Sequence, residues 1–215
     1  MRAVDGLRDG DRIDKTSIAL TGDGSKERKI LKAIAGRYPQ PNIKLLWIPE
    51  NVAVFEHGSR RTGRYCGFSA LRPIRTFIEK YKICSYLVIV DYEHVDRDVN
   101  IDTQIENRVQ ENGFNPISFQ QLANQAFLIK CSDATHVVAL YVVVSGANRR
   151  VEENEASLIN LCYGVNIGPE KNIISSFYSQ HHTNLTELIK NANRTHLNSA
   201  FRDLVAALDE IENTN

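Results

Sequence analysis

Two rhythms of apolar residues alternate along the chain. Nearly unbroken runs fall at Ser17-Ile18-Ala19-Leu20, at residues 42–48 and at Tyr86-Leu87-Val88-Ile89-Val90. Such runs predict strands covered on both faces, the habit of a parallel sheet. Between them, apolar residues recur every three or four positions. After Ser25, which can cap it, a helix with Lys26, Glu27 and Arg28 in its first turn sets Ile30, Leu31 and Ile34 at helical spacing and is ended by Gly36 and Pro39. Residues 69–82 do the same with Leu71, Ile74, Phe77, Ile78 and Tyr81, and residues 101–112 predict a third helix closed by Gly113. Further strands are predicted at 115–119, 126–131 and 136–144. After Gly146 the pattern is helical, over 151–162, 169–178, 185–191 and 197–211. Alternating strands and helices followed by helices alone predict an α/β fold. Its largely parallel central sheet is flanked by helices in a Rossmann-like winding, with a C-terminal helical subdomain. The expected organisation is a polar lead-in at 1–16, an α/β domain at 17–146 and a helical cap at 147–215.

Composition narrows the class. The 215 residues, 42% hydrophobic and 24% charged, suit one ordinary globular domain and exclude disordered, collagen-like and coiled-coil chains. Lys and Arg number 26, as do Asp and Glu, so no global field attracts a polyanion and nucleic-acid binding requires local basic patches. No apolar run reaches the roughly 18–20 residues that span a bilayer. Residues 1–15 lack an apolar signal core, so a cytoplasmic protein without membrane contact is expected. Cys66, Cys84, Cys131 and Cys162 lack the spacing of a zinc site, and three of them lie in or beside apolar segments, as buried thiols do. His181, His182 and His196 have no acidic or cysteine partner one turn away and are expected at the surface or at caps.

In an open parallel sheet, ligands bind beyond the carboxyl ends of the strands. Two acidic motifs stand there. Asp23-Gly24-Ser25-Lys26-Glu27 follows the first strand, and Asp91-Tyr92-Glu93, trailed by Asp96 and Asp98, follows the central one. If those strands are neighbours, Asp23, Asp91 and Glu93 converge at one rim. Clustered carboxylate oxygens suit a hard divalent cation and metal-assisted phosphoryl chemistry. Strand-end aspartates also serve as turn and cap residues, so the two motifs together, not either alone, carry the reading. Three basic clusters accompany them: Lys26 with Arg28, Arg60 and Arg61 with Arg64 between glycines, and Arg149 with Arg150 after the last strand. Each suits a phosphate backbone or serves as solubilising charge. The turn at Asp23 lacks the Gly-Lys-Ser/Thr of a Walker loop, and Glu27 stands where a dinucleotide fingerprint needs its third glycine. Ser69, Ser145 and Cys84 lack a nucleophile-elbow context.

A strand, an acid-Gly-x-x-acid turn, a helix and then an apolar strand ending in Asp-x-acid resemble the TOPRIM domain. That domain is shared by type IA topoisomerases, bacterial-type primases, small maturation ribonucleases and OLD-family nucleases. The resemblance covers about residues 18–144 and points to the small stand-alone type related to the OLD-family nucleases. In these families the first acid is usually Glu and the later motif Asp-x-Asp. Here Asp23 and Glu93 each shift a carboxylate by one methylene. The resemblance implies a Mg²⁺- or Mn²⁺-dependent nuclease acting on DNA or RNA. It would make Asp23, Glu27 and Asp91 catalytic and Asp23, Asp91, Glu93 and Glu153 metal ligands, with Glu152 as the alternative to Glu153. Glu152, Glu153 and Glu155 occupy the place of the acidic helix that often follows the last strand in small proteins of this kind. Gly24 would admit a phosphate close to the backbone. Lys26, Arg28, Arg60, Arg61, Arg64, Arg149 and Arg150 would meet the nucleic acid. The resemblance also implies a protein partner such as an ATPase. No strand-passage domain or zinc module accompanies the motifs, which disfavours topoisomerase and primase activity. The alternative is a catalytically degenerate TOPRIM-fold binding or assembly module in a nucleic-acid-processing or defence complex. A phosphohydrolase with Asp91 as nucleophile is a third reading, for which Lys130 and Ser132 do not supply the expected reporter groups.

Overall fold

The computed structural model describes residues 1–21, 25–39, 44–49, 67–146 and 151–214. Among them, seven strands form one sheet: β1 (Arg2–Val4), β2 (Thr16–Thr21), β3 (Leu45–Trp47), β4 (Ser85–Asp91), β5 (Asn115–Ala123), β6 (Ala126–Ser132) and β7 (Val137–Ser145). Their spatial order is β1-β3-β2-β4-β7-β6-β5. The helices are α1 (Ser25–Ala35), α2 (Ile74–Tyr81), α3 (Ile101–Glu111), α4 (Glu152–Tyr163), α5 (Lys171–Gln180), α6 (Leu185–Asn191), α7 (Arg194–Ala200) and α8 (Arg202–Asn213). Five strands from β1 to β7 in that order pair in parallel, while β6 is antiparallel to both β5 and β7. The two exceptions follow from the connections. A turn at Asn124-Gln125 and one at residues 133–136 are long enough for hairpins and too short for a parallel crossover.

β4 lies inside the sheet, and its apolar run divides by alternation. Tyr86, Val88 and Val90 face a core with α2 and α3, while Leu87 and Ile89 face a core with α1 and the C-terminal helices. Leu87, Ile89 and Val138 are 0%, 5% and 0% exposed, as central strands require. The predicted neighbours are paired: Ile18 lies opposite Tyr86 and Thr21 opposite Ile89 in a parallel ladder.

Several expectations are corrected. Within residues 1–16, expected as a polar lead-in, Arg2–Val4 pairs with β3 and Met1 is 1% exposed. The helices of the expected C-terminal cap share one core with β2, β4 and β7 and form a layer on the sheet. Residues 69–82 divide into a 3-10 turn (Gly67–Leu71) and α2, because Pro73 lacks the N–H that a continuous helix needs. Residues 197–211 divide at Phe201, where Asn193 caps α7 and α8 starts afresh. Cys131 is buried, whereas Cys84 and Cys162 are half-buried; Cys66 lies outside the described residues. Among the described residues no helix is long and apolar enough to cross a membrane.

The winding fixes the position of the site. The chain passes from β2 to β3 on one side and then returns to β4 on the other. Strand order therefore reverses between β2 and β4, and a crevice opens at their carboxyl ends.

Candidate functional site

A cleft of about 830 Å³ lies at that crevice. On the sheet side it is lined by Lys26, Glu27 and Lys29 from the start of α1 and by Asp91 and Glu93 from the end of β4. Glu152 and Glu155 of α4 form its floor, and Lys171 and Tyr178 of α5 border it with the start of α6. The helix period explains the selection on α1. Ile30, Leu31 and Ile34 enter the core, Glu27 follows one turn earlier at 9% exposure, and Lys26 and Lys29 share the cleft side.

Asp91 is the last residue of β4 and lies opposite Ser145, the last residue of β7. The Ser145 hydroxyl donates to Asp91 Oδ1 at 3.1 Å. Burial pushes the Asp91 carboxyl above the usual carboxylate range; the Ser145 bond opposes the shift, and the charges of Glu93 and Glu152 add to it. Glu93 follows in an exposed 3-10 turn (Tyr92–His94). Asp96 and Asp98 turn instead into a loop closed by Gln104 and line no part of the cleft.

The floor is an ion cluster. Lys26 Nζ donates to Glu155 Oε2 at 2.7 Å and to Glu152 Oε1 at 3.1 Å. Glu155 also accepts from the Tyr178 hydroxyl at 2.8 Å, and Lys171 Nζ stands 3.4 Å from Glu152. Glu152 and Glu155 are 4% and 2% exposed, which an unpaired carboxylate would not tolerate. Desolvation acts to raise Glu152, yet the Lys26 hydrogen bond and charge, with Lys171, hold it below the usual range. Desolvation likewise acts to lower Lys26, and Glu155 and Glu152 raise it instead. Burial and the Glu155 charge push the Tyr178 phenol up. Two ammonium groups and two carboxylates leave the floor formally neutral.

The structure thus brings Glu27, Asp91, Glu93 and Lys26 of the expected set to one cleft. Glu153 is not among the lining residues. It lies one position, or about 100° of helix, from Glu152, whose carboxylate takes the cleft side. Arg28 points elsewhere on α1, to Asp5 Oδ1 at 3.3 Å. Asp23, Gly24, Arg60, Arg61, Arg64, Arg149 and Arg150 lie outside the described residues. Glu155 was expected only as a member of the acidic helix after the last strand; Lys29, Ser145, Lys171 and Tyr178 were not anticipated. A signal for Glu155 was present: Glu152, Glu155 and Ile159 share one helix stripe, so those glutamates had to be buried and paired.

Among the described residues, no three acidic, histidine or cysteine side chains converge closely enough to enclose a metal. The donor set at Asp91 and Glu93 nevertheless fits a hydrated Mg²⁺ or Mn²⁺. Such ions are commonly held by one or two carboxylates with water completing the shell, and Asp91 is a half-buried carboxyl group with Glu93 and Glu152 nearby. The floor cluster does not fit a second ion, because its carboxylates are taken up by Lys26, Lys171 and Tyr178. Comparison with family models, curated proteins and solved structures finds no match to this chain.

Proposed function

We propose that the cleft is the active site of a TOPRIM-type, Mg²⁺- or Mn²⁺-dependent nuclease that cleaves phosphodiester bonds in DNA or RNA. The observation that carries the proposal is the strand-order reversal between β2 and β4, which opens Asp91, Glu93 and Glu27 onto one cleft with lysines at its border. Asp91 and Glu93 would hold the ion. When bound there, a divalent ion supplies charge neutralisation at the phosphoryl group and a more acidic water. Ser145 fixes one oxygen of Asp91 and leaves the other for a ligand. Glu27, on the first turn of α1, is placed to hold or move a proton, joined in the reading by Asp23. Lys26 presents a third N–H beyond the two given to the glutamates and sits where a phosphoryl oxygen would need a donor. Metal-dependent cleavage of labelled single- and double-stranded DNA and RNA tests the proposal. Wild type cleaves and Asp91→Asn does not; equal cleavage by both removes this assignment of roles.

One observation favours a second reading, a binding or assembly module without catalysis. The floor carboxylates are taken up by Lys26, Lys171 and Tyr178, and no three-ligand metal group forms among the described residues. A wild type that shows neither a Mn²⁺-dependent melting shift nor cleavage supports that reading.

A further inference from the structure

Resting on the metal-dependent reading of the cleft, we infer that Lys26 takes the place of a second metal ion. The cleft then works with two unlike cations: a divalent ion at Asp91 and Glu93, and the Lys26 ammonium held between Glu152 and Glu155.

The geometry of the floor is the first observation. Two carboxylates from one turn of α4 converge on a single positive atom, Lys26 Nζ, which lies 3.1 Å from Glu152 Oε1 and 2.7 Å from Glu155 Oε2. Glutamates three positions apart share a helix face, and both are almost fully buried. Two buried like charges repel and lose their hydration, so the fold requires a cation at their meeting point. Lys26 is partly exposed and lines the cleft, so its charge faces a ligand rather than being sealed in the core.

The glutamates are also held as metal-binding carboxylates are held. Such ligands accept further hydrogen bonds that fix their orientation. Here the Tyr178 hydroxyl donates to Glu155 Oε1, leaving Oε2 for Lys26, and Lys171 Nζ lies 3.4 Å from Glu152 Oε1.

Charge balance is the third observation. Among the described lining residues, five carboxylates meet three ammonium groups. One divalent ion neutralises that excess and a second would overshoot it. In two-ion sites, the pair of cations stabilises the attacking and the leaving oxygens. An ammonium can offer charge and an N–H to a leaving oxygen, but it cannot acidify a bound water. Lys26 therefore belongs to the leaving side of the phosphodiester.

The test is Mn²⁺ stoichiometry on the full chain without substrate, read from the free-ion electron paramagnetic resonance signal. Wild type is expected to take up one ion and Lys26→Ala two, since removing the ammonium leaves Glu152 and Glu155 facing a space that a hydrated ion can fill. Adding Asp91→Asn to Lys26→Ala should leave one ion, and adding Glu155→Gln to Lys26→Ala should restore the wild-type count. Mn²⁺ should also raise the melting temperature of Lys26→Ala by more than that of wild type, because an ion bound only to the folded state stabilises it. If Lys26→Ala does not fold, Lys26→Gln retains a long side chain, offers an oxygen where the ammonium stood, and is expected to give the same counts. A Lys26 variant that binds no more ions than wild type overturns the inference. So does a wild type that binds two ions and loses one of them in Glu155→Gln. A wild type that binds none, beside a Lys26→Ala protein that binds one through Glu155, defeats the metal site at Asp91 and leaves Lys26 as the occupant of a cation site. One ion in both proteins does the reverse.

Discussion

Replacing Lys26 by Met keeps the length of the side chain and removes its charge. Glu152 and Glu155, 4% and 2% exposed, would then lie side by side on α4 with Lys171 and the Tyr178 hydroxyl as their remaining side-chain partners among the described residues. Removing one member of a buried ion pair costs about 3–5 kcal/mol, mainly through the charge left behind. Lys26 is itself 30% exposed and Glu152 keeps Lys171, so the expected loss is about 2–3 kcal/mol. In a chain of this length that lowers the melting temperature by roughly 4–12 °C. The dependence on pH is distinctive. Glu152 is depressed in the folded state, so its contribution is present above the unfolded value and fades as pH falls through the folded one. Lys26 is raised, so its contribution is present below its unfolded value and fades as pH rises through the folded one. The gap between wild type and variant is therefore widest at neutral pH and narrows toward about pH 4, where carboxylates protonate. Denaturant melts across that range read it directly. Replacing both glutamates by Gln in the Lys26→Met background restores most of the loss, because no buried charge remains unpaired. A loss below about 0.5 kcal/mol at neutral pH, typical of a surface pair, or a gap that does not change with pH, refutes the argument.

Ile89→Ala truncates a central-strand side chain that is 5% exposed, and urea melts should show a loss of about 2–5 kcal/mol. Gly67 has φ +57, and a Cβ there would stand 2.8 Å from His94 Cβ; Gly67→Ala is expected to cost about 1–3 kcal/mol in the same assay. Asp91 is raised by burial, so its ionised form opposes folding once pH exceeds its folded value. Asp91→Asn should accordingly melt higher than wild type at neutral pH without metal, and the advantage should vanish under acid conditions.

Legibility along the chain followed the range of the forces involved. β2, β4 and α1 were readable because their own residues carry the pattern: an unbroken apolar run, or Ile30, Leu31 and Ile34 at helical spacing; Ser25, expected as the cap, is the first residue of the helix. β1 was not, since Arg2-Ala3-Val4 is too short to show a period and exists through its pairing with Leu45–Trp47. The break at Phe201 was hidden because apolar residues on both sides continue one helical rhythm. At the site, the strand-end rule placed Asp91 at the end of β4, while the adjacency of β2 and β4 entered only as a condition suggested by the two strand-end acids and is seen in the ladder that pairs Ile18 with Tyr86. The ion cluster could not be read locally: Lys26 lies 126 and 129 positions from Glu152 and Glu155. Glu153 and Glu152 differ by one position, and only the packing of α4 on the sheet decides which faces the cleft. Arg28 was assigned to the nucleic acid by proximity in sequence, and helix phase carried it to Asp5 instead.

The central claim is that Asp91 and Glu93 hold a divalent ion at the reversal between β2 and β4. Electron paramagnetic resonance of Mn²⁺ titrated against the protein tests it without requiring a substrate. Wild type is predicted to quench the free-ion signal at one equivalent, while Asp91→Asn leaves it close to that of buffer. A wild type that leaves the free-ion signal unchanged, or an Asp91→Asn variant that binds as tightly, would contradict the claim.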